Sequence, residues 1–264
     1  MNEKYTELIE KLWENRSRKK DENRASATLR NGENMAEKKT GILYGVGVGP
    51  GDPELLTLKA CRIINENKYI AYPGKVKEET LCYRIAEPVI QEPQEKIYIS
   101  CHVQMTKDRE ILDRNYDLAA ASIIEILEKG ENVVFLTLGD PTVYATYIYV
   151  HDRVIKAGCR AKIISGVPSF CAAAAKLDIS LAERSQMLHV VPASYKIEEV
   201  LSLTGTKILM KSASKLKDVK ESLLKRGGEV YMVENCCLED ERIFRSAEEI
   251  DENAGYLSLI IVKE

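Results

Sequence analysis

The segment GVGVGPGDPELLTLKA, from Gly45 to Ala60, and the segment LGDPTVYAT, from Leu138 to Thr146, decide the fold of this 264-residue chain. Each follows an apolar run typical of a buried strand, and each places Gly-Asp-Pro where a helix is expected to begin. Glycine lets the backbone approach a ligand closely, while aspartate and proline suit the N-cap and the first helical position. Two such turns, far apart in the chain, predict a cleft that both of them line.

Strands and helices alternate regularly through the central part of the chain. Alternation of this kind is typical of βαβ units, which build a parallel sheet with helices on both faces. Further on, the predicted strands follow one another closely, with helices only near 195–203 and 214–226, so a mixed sheet with antiparallel pairs is expected. We predict an α/β fold of two α/β domains, with a mostly parallel sheet in residues 41–180, a mixed sheet in residues 181–264 and a cofactor cleft between them.

The two Gly-Asp-Pro turns also determine where two helices are predicted to begin. The first turn is expected to open a helix at Asp52 that runs through Ile64, and the second precedes a helix from about Val143 to Ala157. In this interpretation Asp52 and Asp140 are helix N-caps, each of which stabilises by about 1 kcal/mol. That role is the alternative to a ligand contact, since a carboxylate at the end of a strand also accepts hydrogen bonds from ligand hydroxyls.

The composition argues against several classes of protein. With 45% hydrophobic residues, 30% charged residues and a formal net charge of −3, the chain lacks the basic excess of a dedicated nucleic-acid binder. No apolar run reaches the length of a membrane span, and the N-terminus has no signal-peptide core, so we expect a cytoplasmic protein without a membrane partner. Residues 1–40 are densely charged and are expected to form a mobile extension.

The seven cysteines are scattered and include no C-x-x-C pair, which indicates reduced thiols. The three histidines lack the spacing of a metal site such as H-E-x-x-H, and no metal site is expected. For the vicinal pair Cys236-Cys237, a soft-metal site and a redox role are alternatives. The favoured interpretation is two adjacent strand residues that face opposite ways.

The spacing of the glycines limits what the cleft can hold. Gly45, Gly47, Gly49 and Gly51 occupy every second position, so neither the dinucleotide pattern G-x-G-x-x-G nor the P-loop pattern is present. Pro50 removes a backbone N–H where a phosphate cradle needs a donor. The loop therefore favours a cationic or neutral adenosine-type ligand over an anionic nucleotide.

Three segments resemble the tetrapyrrole (corrin and porphyrin) methyltransferases: Gly45–Ala60, Gly139–Thr146 and SGVPSFCAAAA, from Ser165 to Ala175. The resemblance extends from Gly41 to the C-terminus. It implies transfer of a methyl group from S-adenosylmethionine, which this family holds in a cleft between two α/β domains. Within the family, the chain is most similar to the precorrin-2 and cobalt-factor-II C(20)-methyltransferases of cobalamin biosynthesis, because TYIY continues the second turn and a proline stands in SGVPSF.

The resemblance also implies which residues contact the cofactor. Pro50, in the first turn, is implied to pack against the cofactor, while the residues of the second turn contact the methionine and ribose end of the cofactor. Pro168 and Ser169 take the positions of the family's cofactor-contacting S-S or T-A pair, and Met210 matches the family's adenine-side methionine. The proline of that pair brings neither a hydroxyl nor an amide donor. A last contact is expected from residues 232–235. The implied cofactor-binding residues are Pro50, Gly139, Asp140, Val143, Pro168, Ser169 and Met210.

Methyl transfer from a sulfonium needs little acid–base machinery, because the leaving group is neutral and positioning supplies much of the rate. The acceptor implied by the resemblance is the meso carbon C-20 of a tetrapyrrole, which loses a proton after alkylation. Candidate residues for assisting that loss are Tyr144, Tyr147, Tyr149 and Tyr83, with packing as the alternative role for each. Because the substrate carries many carboxylates, cationic loop ends are expected to bind it: Lys75, Lys77, Lys107, Arg109 and Lys211.

Other functions stay open at this point. Among enzymes, the alternative is methylation at another ring position, for example of uroporphyrinogen III, while methylation of diphthine on a protein fits less well. Outside enzymes, the alternative is a non-catalytic nucleotide- or tetrapyrrole-binding module. The family resemblance implies a homodimer, and the sequence does not say whether the substrate already contains cobalt.

Overall fold

A computed structural model describes residues 40–104, 106, 108–192, 195–212 and 215–263. These residues form two compact units: the first holds the chain up to Val48 together with Leu56–Gly166, and the second holds Gly49–Leu55 together with the chain from Val167 onwards. The predicted extension up to residue 39 and Lys107 lie outside the described residues. The domain boundaries given above, residues 41–180 and 181–264, stay a prediction.

The first unit contains a sheet of five strands that are all parallel, as predicted. The first strand of the chain, Ile42–Gly47, pairs with a neighbour on each side, so that Gly47 lies beside Thr137 and Val46 beside Ile164. The order across the sheet is β3-β2-β4-β1-β5. The strands are β1 (Ile42–Gly47), β2 (Tyr69–Tyr72), β3 (Ile97–Ser100), β4 (Val133–Thr137) and β5 (Arg160–Ile164).

Helices cover both faces of this sheet, which explains why its strands are almost continuously apolar. Along β4, Val133 and Phe135 contribute to one hydrophobic core, while Val134 and Leu136 contribute to a second core on the other face. The first core includes helices α3 (Arg109–Leu127) and α4 (Tyr147–Lys156), and the second includes α1 (Leu58–Glu66) and α2 (Leu81–Ala86).

The predicted start of the helix after the first turn is wrong. Thr57 is the N-cap of α1, because its Oγ1 accepts a hydrogen bond from the Ala60 amide at 3.1 Å. Asp52 instead opens a single 3₁₀ turn, Pro53–Leu55, where its Oδ1 accepts from the Glu54 amide at 2.8 Å. Both aspartate and threonine suit an N-cap, and the sequence offers two consecutive caps here.

The helix after the second turn also begins later than predicted. It starts at Tyr147 rather than near Val143, because Tyr144 has a left-handed backbone with φ of 48°. A residue in that conformation cannot continue a right-handed helix. Asp140 therefore lies in a turn ahead of α4 and is not the cap of that helix.

The second unit contains the mixed sheet that the sequence predicts, in which only the pair formed by the first two strands along the chain is parallel. The order across the sheet is β6-β7-β10-β8-β9. Its elements are α5 (Ser169–Leu177), β6 (Leu188–Pro192), α6 (Ile197–Leu201), β7 (Thr206–Met210), α7 (Leu216–Arg226), β8 (Glu229–Glu234), β9 (Arg242–Phe244) and β10 (Ser258–Lys263). None of the helices in the described part of the chain is long and apolar enough to span a membrane.

Two buried thiols in the first unit give a testable pH dependence. Burial raises the pKa of Cys82 and of Cys101 from 9.0 to about 12, because the thiolate loses its hydration inside the protein. The folded state therefore keeps protons that the unfolded state loses above pH 9, and the free energy of unfolding should fall as pH rises from about 9 towards 12. Urea unfolding between pH 8 and 11 measures this, and Cys82→Ala and Cys101→Ala should flatten the slope.

Candidate functional site

Three glycines let the backbone segments come into contact where β1, β4 and β5 end. A Cβ on Gly47 would lie 2.5 Å from the Gly139 carbonyl oxygen and 2.7 Å from the Gly166 nitrogen. A Cβ on Gly166 would collide with the same Gly139 oxygen and lie 2.8 Å from the carbonyl carbon of Gly47. Gly139 itself has a left-handed φ of 67°. Ligands of parallel α/β sheets bind at this edge, where the carboxyl ends of the strands meet.

Asp140 joins two of these backbone segments through its carboxylate. Its Oδ1 accepts hydrogen bonds from the amide and the hydroxyl of Thr142, with the amide at 2.8 Å. Its Oδ2 accepts from the Gly166 amide at 3.0 Å, across to the segment that follows β5. The residue is only 7% exposed. The carboxylate thus holds the turn after β4 against the turn after β5.

The two Gly-Asp-Pro turns therefore differ in what their aspartates do. Asp52 makes one local bond in a partly exposed 3₁₀ turn, which a helix cap explains completely. Asp140 makes a local bond of the same type and, in addition, a bond to a residue far along the chain. Val143 is partly buried, and its amide donates to the Asp140 carbonyl at 3.2 Å. Contact of Gly139, Asp140 and Val143 with a cofactor stays a prediction.

The other predicted cofactor residues belong to the second unit. Pro50 is buried in the segment 49–55, and the next residue, Gly51, is pressed against the backbone after β8. A Cβ on Gly51 would lie 2.7 Å from each of two carbonyl oxygens, those of Cys236 and Cys237. This glycine is therefore required for packing, independently of any ligand.

Pro168, Ser169 and Met210 each lie at the end of an element of the second unit. Pro168 is the N-cap of α5, where its carbonyl accepts from the Cys171 amide at 3.1 Å, and Ser169 is the first helical residue. Met210 is the last residue of β7, and it is partly buried against the core on that face of the sheet. Helix starts and strand ends are common positions for ligand contacts, but the contacts of these residues with a cofactor remain predictions.

Of the four candidate tyrosines, the three that lie in and after the second turn have different surroundings. Tyr147 is fully buried under β1, and its hydroxyl lies 2.9 Å from His151 Nδ1, so its position supports the packing role. Tyr149 is 50% exposed on α4 and stacks on Tyr116 with ring centroids 4.8 Å apart. Tyr144 is 44% exposed in the turn that also holds Asp140. Of the three, Tyr144 is the one that this turn presents at the carboxyl edge of the sheet.

The fit between Gly45 and Tyr147 can be tested by a double-mutant cycle. A Cβ on Gly45 would collide with the Tyr147 ring, so Gly45→Ala should lower the free energy of unfolding by about 2 kcal/mol. In a Tyr147→Leu background the same change should cost clearly less, because the ring is gone. Urea unfolding of the four proteins measures the coupling, and equal costs in both backgrounds would contradict this packing.

The predicted substrate-binding cations are distributed around the first unit and the end of β7. Lys77 donates to the Tyr83 hydroxyl at 3.0 Å and pairs with Glu78 at 2.9 Å, and these bonds raise its pKa. Tyr83 itself is buried, which supports packing over proton transfer for that residue. The remaining described members are exposed, namely Lys75, Arg109 and Lys211.

The prediction for the vicinal cysteines is wrong. Strand β8 ends at Glu234, and Cys236 and Cys237 follow in a turn rather than alternating along a strand. Left-handed backbone at Asn235 and Cys237, with φ of 52° and 65°, brings the two Sγ atoms within 3.7 Å of each other. Nothing in the sequence indicates this turn, because two consecutive cysteines after a strand are not typical turn residues.

Sequence reasoning also missed Thr142 and Gly166, which are the partners of Asp140. The sequence does indicate a turn at Gly166, because this glycine stands at the end of a predicted strand and precedes Val-Pro-Ser. The signal for Thr142 was weaker. A hydroxyl residue two positions after an aspartate is typical of a local turn, but does not indicate which aspartate is buried.

Comparison with known proteins gives consistent matches. Residues 42–251 match the family model described as Tetrapyrrole (Corrin/Porphyrin) Methylases. The chain is 33% identical over 229 residues to the "Probable cobalt-precorrin-2 C(20)-methyltransferase" of Methanocaldococcus jannaschii, covering 84% of this chain and 95% of that protein. It is 30% identical over 233 residues to "Cobalamin biosynthesis protein CobIJ" of Mycobacterium tuberculosis (strain ATCC 25618 / H37Rv), covering 84% of this chain but only 46% of that protein.

A solved structure shows the same fold. The uroporphyrin-III C-methyl transferase of Thermus thermophilus, in complex with S-adenyl homocysteine, superposes with a TM-score of 0.60 at 23% identity. The match covers 85% of this chain and 98% of that one. At this identity the likeness shows the fold alone.

Proposed function

We propose, because the chain belongs to the tetrapyrrole (corrin/porphyrin) methylase family, that it transfers a methyl group from S-adenosylmethionine to C-20 of precorrin-2 or cobalt-factor II in cobalamin biosynthesis. The similarity to a relative named for C(20) methylation, over 84% of this chain and 95% of that protein, supports this choice of position. The observation in the structure that supports the proposal best is the turn that contains Asp140, at the carboxyl edge of the parallel sheet. Its aspartate is hydrogen-bonded to the Gly166 amide, and glycines leave the backbone there without side chains.

The residues of this edge fit an adenosine-type methyl donor. Gly47, Gly139 and Gly166 leave backbone without side chains there. In the second unit, Pro50 has no N–H that could donate to a phosphate. We propose that the donor contacts seven residues, of which Asp140 accepts from a ligand hydroxyl or faces the sulfonium charge. The seven are Pro50, Gly139, Asp140, Val143, Pro168, Ser169 and Met210.

The reaction asks mainly for positioning. S-adenosylmethionine supplies an activated methyl group: its carbon–sulfur bond breaks as the new carbon–carbon bond forms, the electron pair stays on a neutral sulfur, and C-20 then loses a proton. The protein's part is to align donor and acceptor and to exclude water, which accounts for much of the rate. Tyr144, exposed in the same turn as Asp140, is proposed to assist proton loss from C-20.

The substrate carboxylates are proposed to bind to cations at loop ends. Lys75 and Arg109 are exposed, close to the carboxyl ends of β2 and β3 in the chain, and Lys211 follows the end of β7. Charge-assisted bonds from such side chains to carboxylates are stronger than neutral ones. Lys77 is less suited, since it is already paired with Glu78.

A second candidate is methylation of another tetrapyrrole position, as in the Thermus thermophilus relative that acts on uroporphyrin III. The position of the methyl group in the product separates the two functions. A non-catalytic binding module is a third alternative. Calorimetric titration with S-adenosylhomocysteine separates this alternative only in part. Absence of binding would favour the non-catalytic module, whereas binding fits both a methyltransferase and a nucleotide-binding module.

The function is tested by turnover. Purified protein should transfer the methyl group of S-adenosylmethionine to precorrin-2 or to its cobalt complex, and no product should form without the donor. Comparing the two acceptors at equal concentration shows which one is the substrate. Absence of transfer to either acceptor by folded protein that binds S-adenosylhomocysteine would rule out the proposed reaction.

We also propose that the protein is a cytoplasmic homodimer. Seven free cysteines are consistent with a reducing compartment, and the family resemblance is the basis for the dimer. Light scattering coupled to size-exclusion chromatography measures the mass of the particle. A mass of one chain, about 30 kDa, would contradict the dimer.

A further inference from the structure

Three side chains with metal-binding atoms meet in the turn after β8. The Sγ atoms of Cys236 and Cys237 are 3.7 Å apart, and these two atoms and a carboxylate oxygen of Glu241 all lie within 4.8 Å of one another. Cys236 is buried, while Cys237 and Glu241 are partly exposed. Among the described residues this is the one group of three or more such side chains.

Hydrogen bonds within the turn hold these groups in place. The Cys237 amide donates to Glu241 Oε2 at 2.6 Å, and the Glu241 amide donates to the Leu238 carbonyl at 3.2 Å. Lys176 on α5 lies 3.5 Å from the other carboxylate oxygen, Oε1. On the far side, the carbonyls of both cysteines rest against Gly51. One oxygen of Glu241 is thus oriented by a backbone N–H, and the other meets only a weak, partly exposed ion pair.

The distances match those around a tetrahedral zinc ion. Two zinc–sulfur bonds of about 2.3 Å at the tetrahedral angle place the sulfur atoms about 3.8 Å apart, close to the spacing of Cys236 and Cys237. A disulfide requires about 2.0 Å between the sulfur atoms, so the pair is spaced for a shared cation rather than for a bond. Two soft thiolates with one carboxylate favour zinc or cadmium over magnesium or calcium.

We propose that Cys236, Cys237 and Glu241 form a binding site for one thiophilic divalent cation, which is Zn²⁺ under physiological conditions. The fourth coordination position of the ion is open to water. Binding releases the two thiol protons to solvent, and Glu241 Oε1 exchanges its ion pair with Lys176 for the metal. The site uses none of the seven residues proposed to contact the methyl donor, and it replaces the sequence-based expectation that the chain has no metal site. Its structural effect is to fix the turn after β8 against Gly51.

The test uses the full-length protein, reduced and freed of metal, and titrates it with Cd²⁺ and Zn²⁺ in competition with a chromophoric chelator. One equivalent of each cation should bind, and Cd²⁺ should produce the ultraviolet charge-transfer absorption of cadmium–thiolate bonds. Cys237→Ser and Glu241→Gln should each weaken Cd²⁺ binding at least tenfold. The matched control is Cys171→Ser, which removes an exposed thiol elsewhere and should change the affinity less than twofold.

Several outcomes would overturn the site. Equal Cd²⁺ affinity in wild type and in Cys237→Ser would do so, as would an affinity that Cys171→Ser lowers as much as Cys237→Ser does. Loss of two hydrogens from the Cys236–Cys237 peptide in mass spectra, with no metal bound under reducing conditions, would assign the pair to a disulfide instead. Because Glu241 also accepts a hydrogen bond from the Cys237 amide, circular dichroism of the metal-free variants checks that each still folds.

Discussion

Gly166→Ala is expected to lower the free energy of unfolding by about 3 kcal/mol and to abolish detectable binding of S-adenosylhomocysteine. The added Cβ would collide with the Gly139 carbonyl oxygen and lie 2.8 Å from the carbonyl carbon of Gly47. Both neighbours are backbone atoms, so no side-chain rotation relieves the contact. The turns after β4 and β5 would have to separate, which also breaks the bond from the Gly166 amide to Asp140.

The matched control is the neighbouring change Ser165→Ala. Ser165 is exposed, and the contact that it makes with Thr57 uses its carbonyl group, which alanine keeps. We expect less than about 0.5 kcal/mol of destabilisation and unchanged binding for this variant. Urea unfolding measures the stability of both proteins, and calorimetry measures their binding of S-adenosylhomocysteine. A Gly166→Ala protein as stable as Ser165→Ala would show that the three glycines are not in backbone contact.

Asp140→Asn should destabilise the protein by about 2 kcal/mol and weaken binding of S-adenosylhomocysteine at least tenfold. The carboxylate accepts from the Thr142 amide with one oxygen and from the Gly166 amide with the other. An asparagine offers one acceptor oxygen and one NH₂ group. In either orientation a donor therefore faces a donor, and one partly buried N–H loses its partner, at a cost of about 2 kcal/mol. The expected loss of affinity follows from misplacing Gly139 and Gly166 together.

The other Gly-Asp-Pro turn supplies the control for this change. Asp52→Asn keeps a good cap, because asparagine accepts the single bond from the Glu54 amide as well as aspartate does. Its free energy of unfolding should change by less than about 0.5 kcal/mol. Equal effects of Asp52→Asn and Asp140→Asn on stability and binding would mean that both aspartates are simple caps, as the alternative interpretation of the sequence holds.

The fold was largely predictable because the period of the hydrophobic residues changes along the chain. Continuous apolar runs such as VVFLT belong to strands that are buried on both faces, and they alternate with helical segments, which leads directly to a parallel sheet. The closely spaced strands after β7 could pair only in an antiparallel way, as β8, β9 and β10 do. These are local signals that a single sequence carries.

Helix starts and the shape of the turns were less predictable, because competing local signals are close in energy. Asp52 and Thr57 are both good caps, and the packing of α1 on the sheet decides in favour of Thr57. The sequence also gives no indication that the backbone of Tyr144 is left-handed, because residues with this conformation are usually glycine or asparagine. Tertiary contacts impose it.

The candidate site was predicted in part. Glycines and Asp140 were located from local pattern, but the partner of Asp140 could not be, because Gly166 lies on another strand end and the bond depends on the order of strands in the sheet. The cysteine turn was mispredicted for a similar reason. The end of β8 at Glu234 is set by the register with β10, in which Glu234 pairs with Ser258.

The most direct test of the proposed function is the position of the transferred methyl group. S-adenosylmethionine that carries a ¹³C-labelled methyl group, incubated with the protein and with precorrin-2 or cobalt-factor II, should give a product whose labelled carbon is bonded to C-20 in the NMR spectrum. The mass of that product should exceed the mass of the acceptor by one methyl group in place of one hydrogen. A label on any other ring carbon, or no labelled tetrapyrrole at all, would contradict the account.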